Sequence, residues 1–113
     1  KNLDDILATP RLDGVYIGPN DLALVLGSRP GSDLTDPRCV ETIAHIHARA
    51  RAHGKFVGIF CSGGATGAIR RKQGFDMVTL THEGNYVTQM AKTHIATALA
   101  EPVVSAPNSG TGY

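Results

Sequence analysis

The chain has 113 residues, which is enough for one domain at most. A net charge of +1, with 42% hydrophobic and 19% charged residues, is ordinary for a globular protein and indicates neither nucleic acid nor an anionic membrane as a partner. No apolar run approaches the ~20 residues that span a bilayer, no signal peptide is visible, and Cys39 and Cys61 lack CxxC spacing, so we expect a cytoplasmic protein with reduced thiols.

In chain order, apolar side chains at helical spacing alternate with short apolar runs that are bounded by glycine. The helical spacing predicts helices over residues 3–7, from Pro37 to a stop at Gly54, over 65–73 and over 86–100. The apolar runs predict strands over 14–18, 56–60 and 76–80. Asp36 before Pro37 is a helix start signal. Because the chain opens on Lys1 inside the first helix, we expect a piece of a longer protein.

This alternation of strands and helices predicts an α/β fold with parallel strands. The strand runs are nearly continuous rather than alternating, which is typical of parallel strands that are covered on both faces. A sheet of only three strands leaves two edges with unpaired backbone groups. The pattern therefore favours a segment of a larger sheet or barrel.

The segment that carries chemistry is LDGVYIGPNDLA, residues 12–23. A strand ends at Gly18, a Gly-Pro turn follows, and Asp21 lies where the chain leaves the sheet, which is the active face of α/β barrels. The amides of Asn20 and Asp21 begin a helix, where carboxylates bind well, and the Asp21 carboxylate is suited to a divalent cation. The alternative is that Asp21 or Asn20 merely caps the helix.

The stretch DGVYIGPNDLALVLG resembles the signature of the HpcH/HpaI aldolase family, class II 2-oxo-acid aldolases whose core motif is Gly-Pro-x-Asp-Leu after a barrel strand. HGKFVGIF and QGFDMVTL resemble the family's following strands, in the same order. The resemblance covers roughly residues 1–100. It implies that residues 1–101 are the C-terminal part, about strands six to eight, of a (β/α)8 TIM barrel of the phosphoenolpyruvate/pyruvate-binding type, and that 102–113 form a flexible tail.

The resemblance also implies a lyase that cleaves 4-hydroxy-2-oxo acids to pyruvate and an aldehyde. Asp21 would bind Mg²⁺, Mn²⁺ or Co²⁺ together with a Glu from an earlier strand, and the metal would stabilise the pyruvate enolate as a Lewis acid. Gly18, Pro19, Asn20, Asp21 and Phe60 would contact the substrate. The family's catalytic His, its substrate-binding Arg and that Glu have no matching positions here. We therefore expect no catalytic residue in this chain and no activity from it unaided.

The histidines and a glycine-rich loop leave alternatives open. His45, His47, His53 and His94 lie on or at the end of predicted helices that do not bring them together, so we expect structural or solvated roles. His82 follows the third strand, where the family usually has Asp or a small residue, and either contacts the substrate or lies on a loop surface. The loop 61–67 is a phosphate-binding candidate or an ordinary βα loop.

Two other functions compete with the aldolase. A citrate-lyase-like or CoA-ester lyase belongs to the same superfamily. A non-catalytic part-barrel would serve assembly, by exchange of its last helix with another subunit of a homo-oligomer. The apolar stripe at Val87, Ala91, Ile95 and Leu99 is typical of such an exchanged helix.

Overall fold

The computed structural model describes residues 2–100, which contain three strands and five helices. They are α1 (Leu3–Leu7), β1 (Gly14–Ile17), α2 (Pro19–Val25), α3 (Pro37–Ala52), β2 (Phe56–Cys61), α4 (Gly64–Lys72), β3 (Met77–Leu80) and α5 (Glu83–Leu99). All predicted strands and helices are confirmed, with ends shifted by a few residues. The segment after Gly18 forms a helix of its own, α2. The tail predicted at 102–113 lies outside the described residues.

The chain divides into two compact units, one that ends at His82 and one that begins at Glu83. The first unit holds a three-stranded sheet in the order β1-β2-β3, and both neighbouring pairs are parallel. This arrangement confirms the α/β prediction. Because all three strands run in the same direction, their carboxyl ends lie at one edge of the sheet, where any site built on the strand ends must form.

Helices pack on one face of this sheet and build the core of the first unit. Helix α3 packs against β1 and β2, and α4 packs against β2 and β3. The strand residues of the core, Val57, Ile59 and Cys61 on β2 and Ile17 on β1, point to the helix side, and those on β2 alternate as a pleated strand requires. The whole core cluster is Leu7, Ile17, Ile43, Ala50, Val57, Ile59, Cys61 and Phe75.

The opposite face of the sheet carries large apolar side chains that remain exposed. Tyr16, Phe56 and Met77 are each about half exposed or more. Within residues 2–100 the helices therefore cover only one face of the sheet, and cover of the other face by further strands stays a prediction.

Gly58, at the centre of the open face, leaves room for the Tyr16 side chain to lie over the central strand. A Cβ at Gly58 would lie 2.8 Å from Cδ2 of Tyr16 and 2.9 Å from Cε of Met77. The Tyr16 ring thus lies over β2, and its hydroxyl donates a hydrogen bond of 2.9 Å to Oγ1 of Thr79 on β3. This contact ties the two outer strands together across the central one.

Ion pairs and a helix cap hold α3 in place. As predicted, Asp36 is the N-cap of α3, and its Oδ1 accepts a hydrogen bond of 2.9 Å from the Arg38 amide. Hydrogen bonding from the Arg38 guanidinium lowers the pKa of Asp36 to about 2. At the other end of the helix, Arg51 donates to Oδ1 of Asp76 at 2.8 Å. The Asp76 carboxyl also accepts from the amide of Val57, and this bond is the main reason why its pKa is lowered.

Within the described residues, the second unit consists of one helix, α5. Its large apolar side chains are exposed: Tyr86, Val87, Met90, Ile95 and Leu99. The stripe predicted for helix exchange is therefore accessible at Val87, Ile95 and Leu99. None of the helices within residues 2–100 combines the length and the apolarity that a bilayer crossing requires.

Candidate functional site

The Gly18–Asp21 turn leads directly from the carboxyl end of β1 into α2. Gly18 is the N-cap of α2 in an extended conformation, and Pro19 occupies the first turn, where its missing amide hydrogen costs nothing. No side chain makes a cap hydrogen bond at this helix. The alternative that Asn20 or Asp21 serves as the cap is therefore wrong, because both residues lie inside the helix.

The Asp21 carboxylate folds back over Gly18. A Cβ placed on Gly18 would lie 2.7 Å from Oδ2 of Asp21, closer than real Cβ atoms approach an oxygen. Glycine is thus required at position 18 for Asp21 to keep this orientation. Asp21 is exposed and lines a cavity of about 280 Å³ whose other walls are mainly apolar, including Leu22, Val25 and Ile46.

A second cavity of about 380 Å³ opens at the carboxyl ends of β1 and β2. Its lining is Pro19, Asn20, Pro30, Gly31, Asp33, Phe60 and Ser62. The structure thus brings together three of the predicted substrate contacts, Pro19, Asn20 and Phe60. It places Gly18 and Asp21 along the other cavity.

The loop 26–36, between α2 and α3, supplies the remaining wall of this cavity. The Asn20 side chain accepts a hydrogen bond of 2.8 Å from the Gly31 amide, so it supports the loop. Asp33 is paired with Arg70 of α4, with 2.7 Å between Oδ2 and Nη2. Neither Asp33 nor Arg70 was predicted from the sequence. Nothing in the order of residues distinguishes Arg70 from Arg71 beside it, since only packing determines which one is buried.

The described residues do not contain a complete metal site. Among residues 2–100, no three His, Cys, Asp or Glu side chains are placed to hold a metal ion. The carboxylate of Asp21 has the hard oxygen donors that Mg²⁺ and Mn²⁺ prefer. It fits one position of such a site and leaves the others to residues outside this part of the chain.

The histidines are scattered over the first unit and α5. Nε2 of His47 lies 3.2 Å from the Gly74 carbonyl, and its ring contacts the Phe75 ring at an interplanar angle of 42°. Nε2 of His53 lies 3.3 Å from Asp4. These contacts agree with structural roles. His82 is exposed after β3, and its contact with substrate stays a prediction.

The glycine-rich segment 61–67, predicted as a loop, contains the end of β2, the two linking residues Ser62 and Gly63, and the first turn of α4. The hydroxyls of Ser62 and Thr66 lie 3.0 Å apart, and Ser62 lines the 380 Å³ cavity. Phosphate binding by this segment stays a prediction. Cys39 and Cys61 are free and buried, as expected for reduced thiols, and burial raises the pKa of Cys61.

Comparison of the sequence with curated proteins finds relatives among the aldolases. The chain is 43% identical over 99 residues to a hydroxypyruvate/pyruvate aldolase of Rhizorhabdus wittichii, which is 88% of this chain and 39% of that protein. It is 48% identical over 58 residues to a 5-keto-4-deoxy-D-glucarate aldolase of Salmonella paratyphi C, which is 51% of this chain and 22% of the relative. The chain thus spans about two fifths or less of these relatives. No protein-family model matches it.

Comparison of the structure with solved structures finds the same kind of protein. A HpcH/HpaI aldolase/citrate lyase family protein from Burkholderia cenocepacia superposes with a TM-score of 0.79 and 26% identity, over 87% of this chain and 37% of that one. The citrate synthase SbnG superposes with a TM-score of 0.73 and 24% identity, over 85% of this chain and 38% of that one, and this likeness concerns the fold alone.

Proposed function

Because the chain belongs to the HpcH/HpaI aldolase/citrate lyase family and matches its C-terminal portion, we propose that it is part of a divalent-metal-dependent aldolase. The reaction is cleavage of a 4-hydroxy-2-oxo acid to pyruvate and an aldehyde. The observation that carries the proposal is the Gly18–Asp21 turn, which directs an exposed carboxylate to the carboxyl end of a parallel strand.

We propose further that β1, β2 and β3 are about the sixth to eighth strands of a (β/α)8 barrel. In such barrels the helices surround the outside of the sheet and the inner face is filled by side chains from all the strands. The first unit has this polarity, with α3 and α4 on one face and Tyr16, Phe56 and Met77 exposed on the other. The missing strands would cover the open face.

In this proposal the residues of the chain bind and orient the substrate. Asp21 is one metal ligand, and a carboxylate from outside the described residues is another. When bound, Mg²⁺, Mn²⁺ or Co²⁺ supplies Lewis-acid stabilisation of the developing enolate. The amides of Asn20 and Asp21, which have no acceptor inside the helix, are available to a carboxylate. Pro19 and Phe60 form apolar walls, and the acid-base group comes from the rest of the barrel.

The test is a pyruvate-release assay on the intact protein, with intact mass measured first to show whether ~110 residues or a barrel of ~250 is present. Pyruvate release from a 4-hydroxy-2-oxo acid should require Mg²⁺ or Mn²⁺ and stop with a chelator. Asp21→Ala should abolish metal-dependent turnover and weaken Mn²⁺ binding. Asp5→Ala, which removes an exposed carboxylate on α1 instead, is the matched control and should change neither. Turnover that is independent of metal, or a normal Asp21→Ala variant, would contradict the proposal.

We also propose that the protein is a homo-oligomer that exchanges α5 between subunits. The support is the exposed stripe of Val87, Ile95 and Leu99, because apolar side chains of this size are usually covered. Sedimentation at several concentrations tests it. A monomer at all concentrations would exclude the exchange.

The alternative enzyme, a CoA-ester lyase, is tested in the same lyase assay. A requirement for CoA would favour it over the aldolase.

A further inference from the structure

One wall of the 380 Å³ cavity at the carboxyl ends of β1 and β2 is a loop without regular secondary structure. Residues 26–36 connect α2 to α3, and Pro30, Gly31 and Asp33 of this loop line the cavity. Gly27 and Gly31 have positive φ, and backbone hydrogen bonds form the local turns of the loop, such as the one of 2.8 Å from the Asp36 amide to the Ser32 carbonyl. Side chains of neighbouring helices attach these turns to the rest of the unit, so the position of the cavity wall depends on them.

Arg70 holds the loop from beneath. Its Nη2 donates to Oδ2 of Asp33 at 2.7 Å and to the Asp33 carbonyl at 3.0 Å, and its Nη1 donates to Oε1 of Gln73 at 3.0 Å. Arg70 is 2% exposed and is the one charged side chain buried among residues 2–100. The guanidinium thus donates hydrogen bonds to both the backbone and the side chain of Asp33.

The energetics of this pair argue against a role in stability alone. Burial of a guanidinium is unfavourable even when it is paired, and a well-packed apolar side chain often stabilises a fold as well or better. Arg70 also leaves its Nε buried without a hydrogen-bond partner in the described part of the chain. What the guanidinium adds is direction, because its Nη2 donates to the side chain and to the backbone carbonyl of Asp33 while its Nη1 is held by Gln73.

We propose that Arg70 is a positioning residue, which through Asp33 fixes the loop 26–36 as the wall of the cavity and thereby sets how substrate fits there. The anchoring is a property of this chain. Its consequence for substrate rests on the proposed aldolase function. Arg70 itself lies beneath the loop and lines a different cavity, so its effect on substrate is indirect.

Two buried thiols separate loop anchoring from general unfolding. Cys39, in the first turn of α3, is fully buried but lies outside the core cluster, and its Sγ is 3.7 Å from Oγ of Ser32 in the loop. Cys61 lies within the core cluster. Loosening of the loop should expose Cys39 alone, whereas unfolding should expose both.

The first experiment labels the protein with N-ethylmaleimide and follows each cysteine by peptide mass. Arg70→Gln and Asp33→Asn should each speed the labelling of Cys39 about tenfold, which corresponds to ~1.4 kcal/mol of lost anchoring. The charges of Arg70 and Asp33 also act on the Cys61 thiol, in opposite directions. Unfolding is therefore recognised by a large rise in Cys61 labelling in both variants, which loop anchoring alone should not produce. The control is Arg51→Gln, which removes an Arg–Asp pair of the same chemistry but greater exposure, with Asp76, from another place in the fold. It should leave Cys39 protected.

Each outcome of the labelling either supports or overturns the proposal that Arg70 anchors the loop. Unchanged protection of Cys39 in both Arg70→Gln and Asp33→Asn overturns the proposal. If Arg70→Gln unfolds the chain and both thiols react, Asp33→Asn gives the answer from the loop side, where the helix is left intact. Arg70→Lys, which keeps the charge but not the planar grip, should restore part of the protection.

The second experiment measures steady-state cleavage by the intact protein. Arg70→Gln should raise KM for the 4-hydroxy-2-oxo acid about tenfold and change kcat by less than about twofold, since it alters a binding wall. A lower kcat at unchanged KM is the sign of lost active protein and would overturn the positioning role. If the unmodified protein releases no pyruvate, the proposed function fails, while the thiol labelling still decides whether Arg70 anchors the loop.

Discussion

The two faces of the sheet should respond differently to truncation of side chains on the same strand. Ile59 and Phe56 both lie on β2 but point to opposite faces. Ile59 is fully buried beneath the helices, whereas Phe56 is 66% exposed. Ile59→Ala removes buried methylene groups and leaves a cavity, so it should cost about 4 kcal/mol of unfolding free energy.

Phe56→Ala should cost much less although phenylalanine is the larger residue. An aromatic side chain has about 200 Å² to bury, and only a third of that is buried at Phe56. At about 25 cal/mol per Å², the loss is about 2 kcal/mol as an upper bound. The order of the two variants thus reports which face of the sheet is covered in solution.

Urea denaturation of the 113-residue chain, followed by circular dichroism, measures both free energies. If Ile59→Ala is too unstable, Ile59→Val should still cost about 1 kcal/mol. A cost of Phe56→Ala equal to or above that of Ile59→Ala would refute the reasoning, because it would show that the open face is packed against something. In a complete barrel, where other strands fill that face, Phe56→Ala should rise to about 3–5 kcal/mol.

Three further perturbations test separate contacts. A Cβ at Gly67 would collide with Cδ2 of Leu80, a side chain that is 40% exposed and must shift to make room, so Gly67→Ala should give a lower unfolding free energy in urea melts than Gly64→Ala, which meets open space on the same helix and should be neutral or slightly stabilising. Since the pKa of Asp36 is depressed to about 2, its stabilising effect is present above pH ~4 and is lost as pH falls toward 2, and Asp36→Asn should flatten an acid titration of stability between these values. Tyr16→Phe removes one exposed hydrogen bond across the sheet and should lower the urea midpoint by the equivalent of about 1 kcal/mol or less, with the m-value unchanged.

The elements of the fold were predictable because their signals are local. Continuous apolar runs marked the three strands, and the Asp36-Pro37 pair marked the start of α3 to the residue. The Gly18-Pro19 turn likewise announced where β1 ends, since glycine and proline restrict the backbone without help from the rest of the chain. The open face of the sheet was also predictable, because three strands alone leave apolar faces uncovered. A run of apolar residues does not say which other segments will cover that face.

The residues of the candidate site also fall into those that the sequence predicted and those that only packing brought together. The sequence by itself determined that a carboxylate and an amide, Asp21 and Asn20, follow the first strand at its carboxyl end. Only the tertiary structure decided that their side chains line different cavities, because successive helix positions point about 100° apart around the axis and each direction meets a different neighbour. The pairing of Asp33 with Arg70, residues far apart in the chain, was likewise decided by the packing of α4 beside the loop. A buried ion pair has no local signature, since either residue alone resembles an ordinary surface charge until the fold brings the two together.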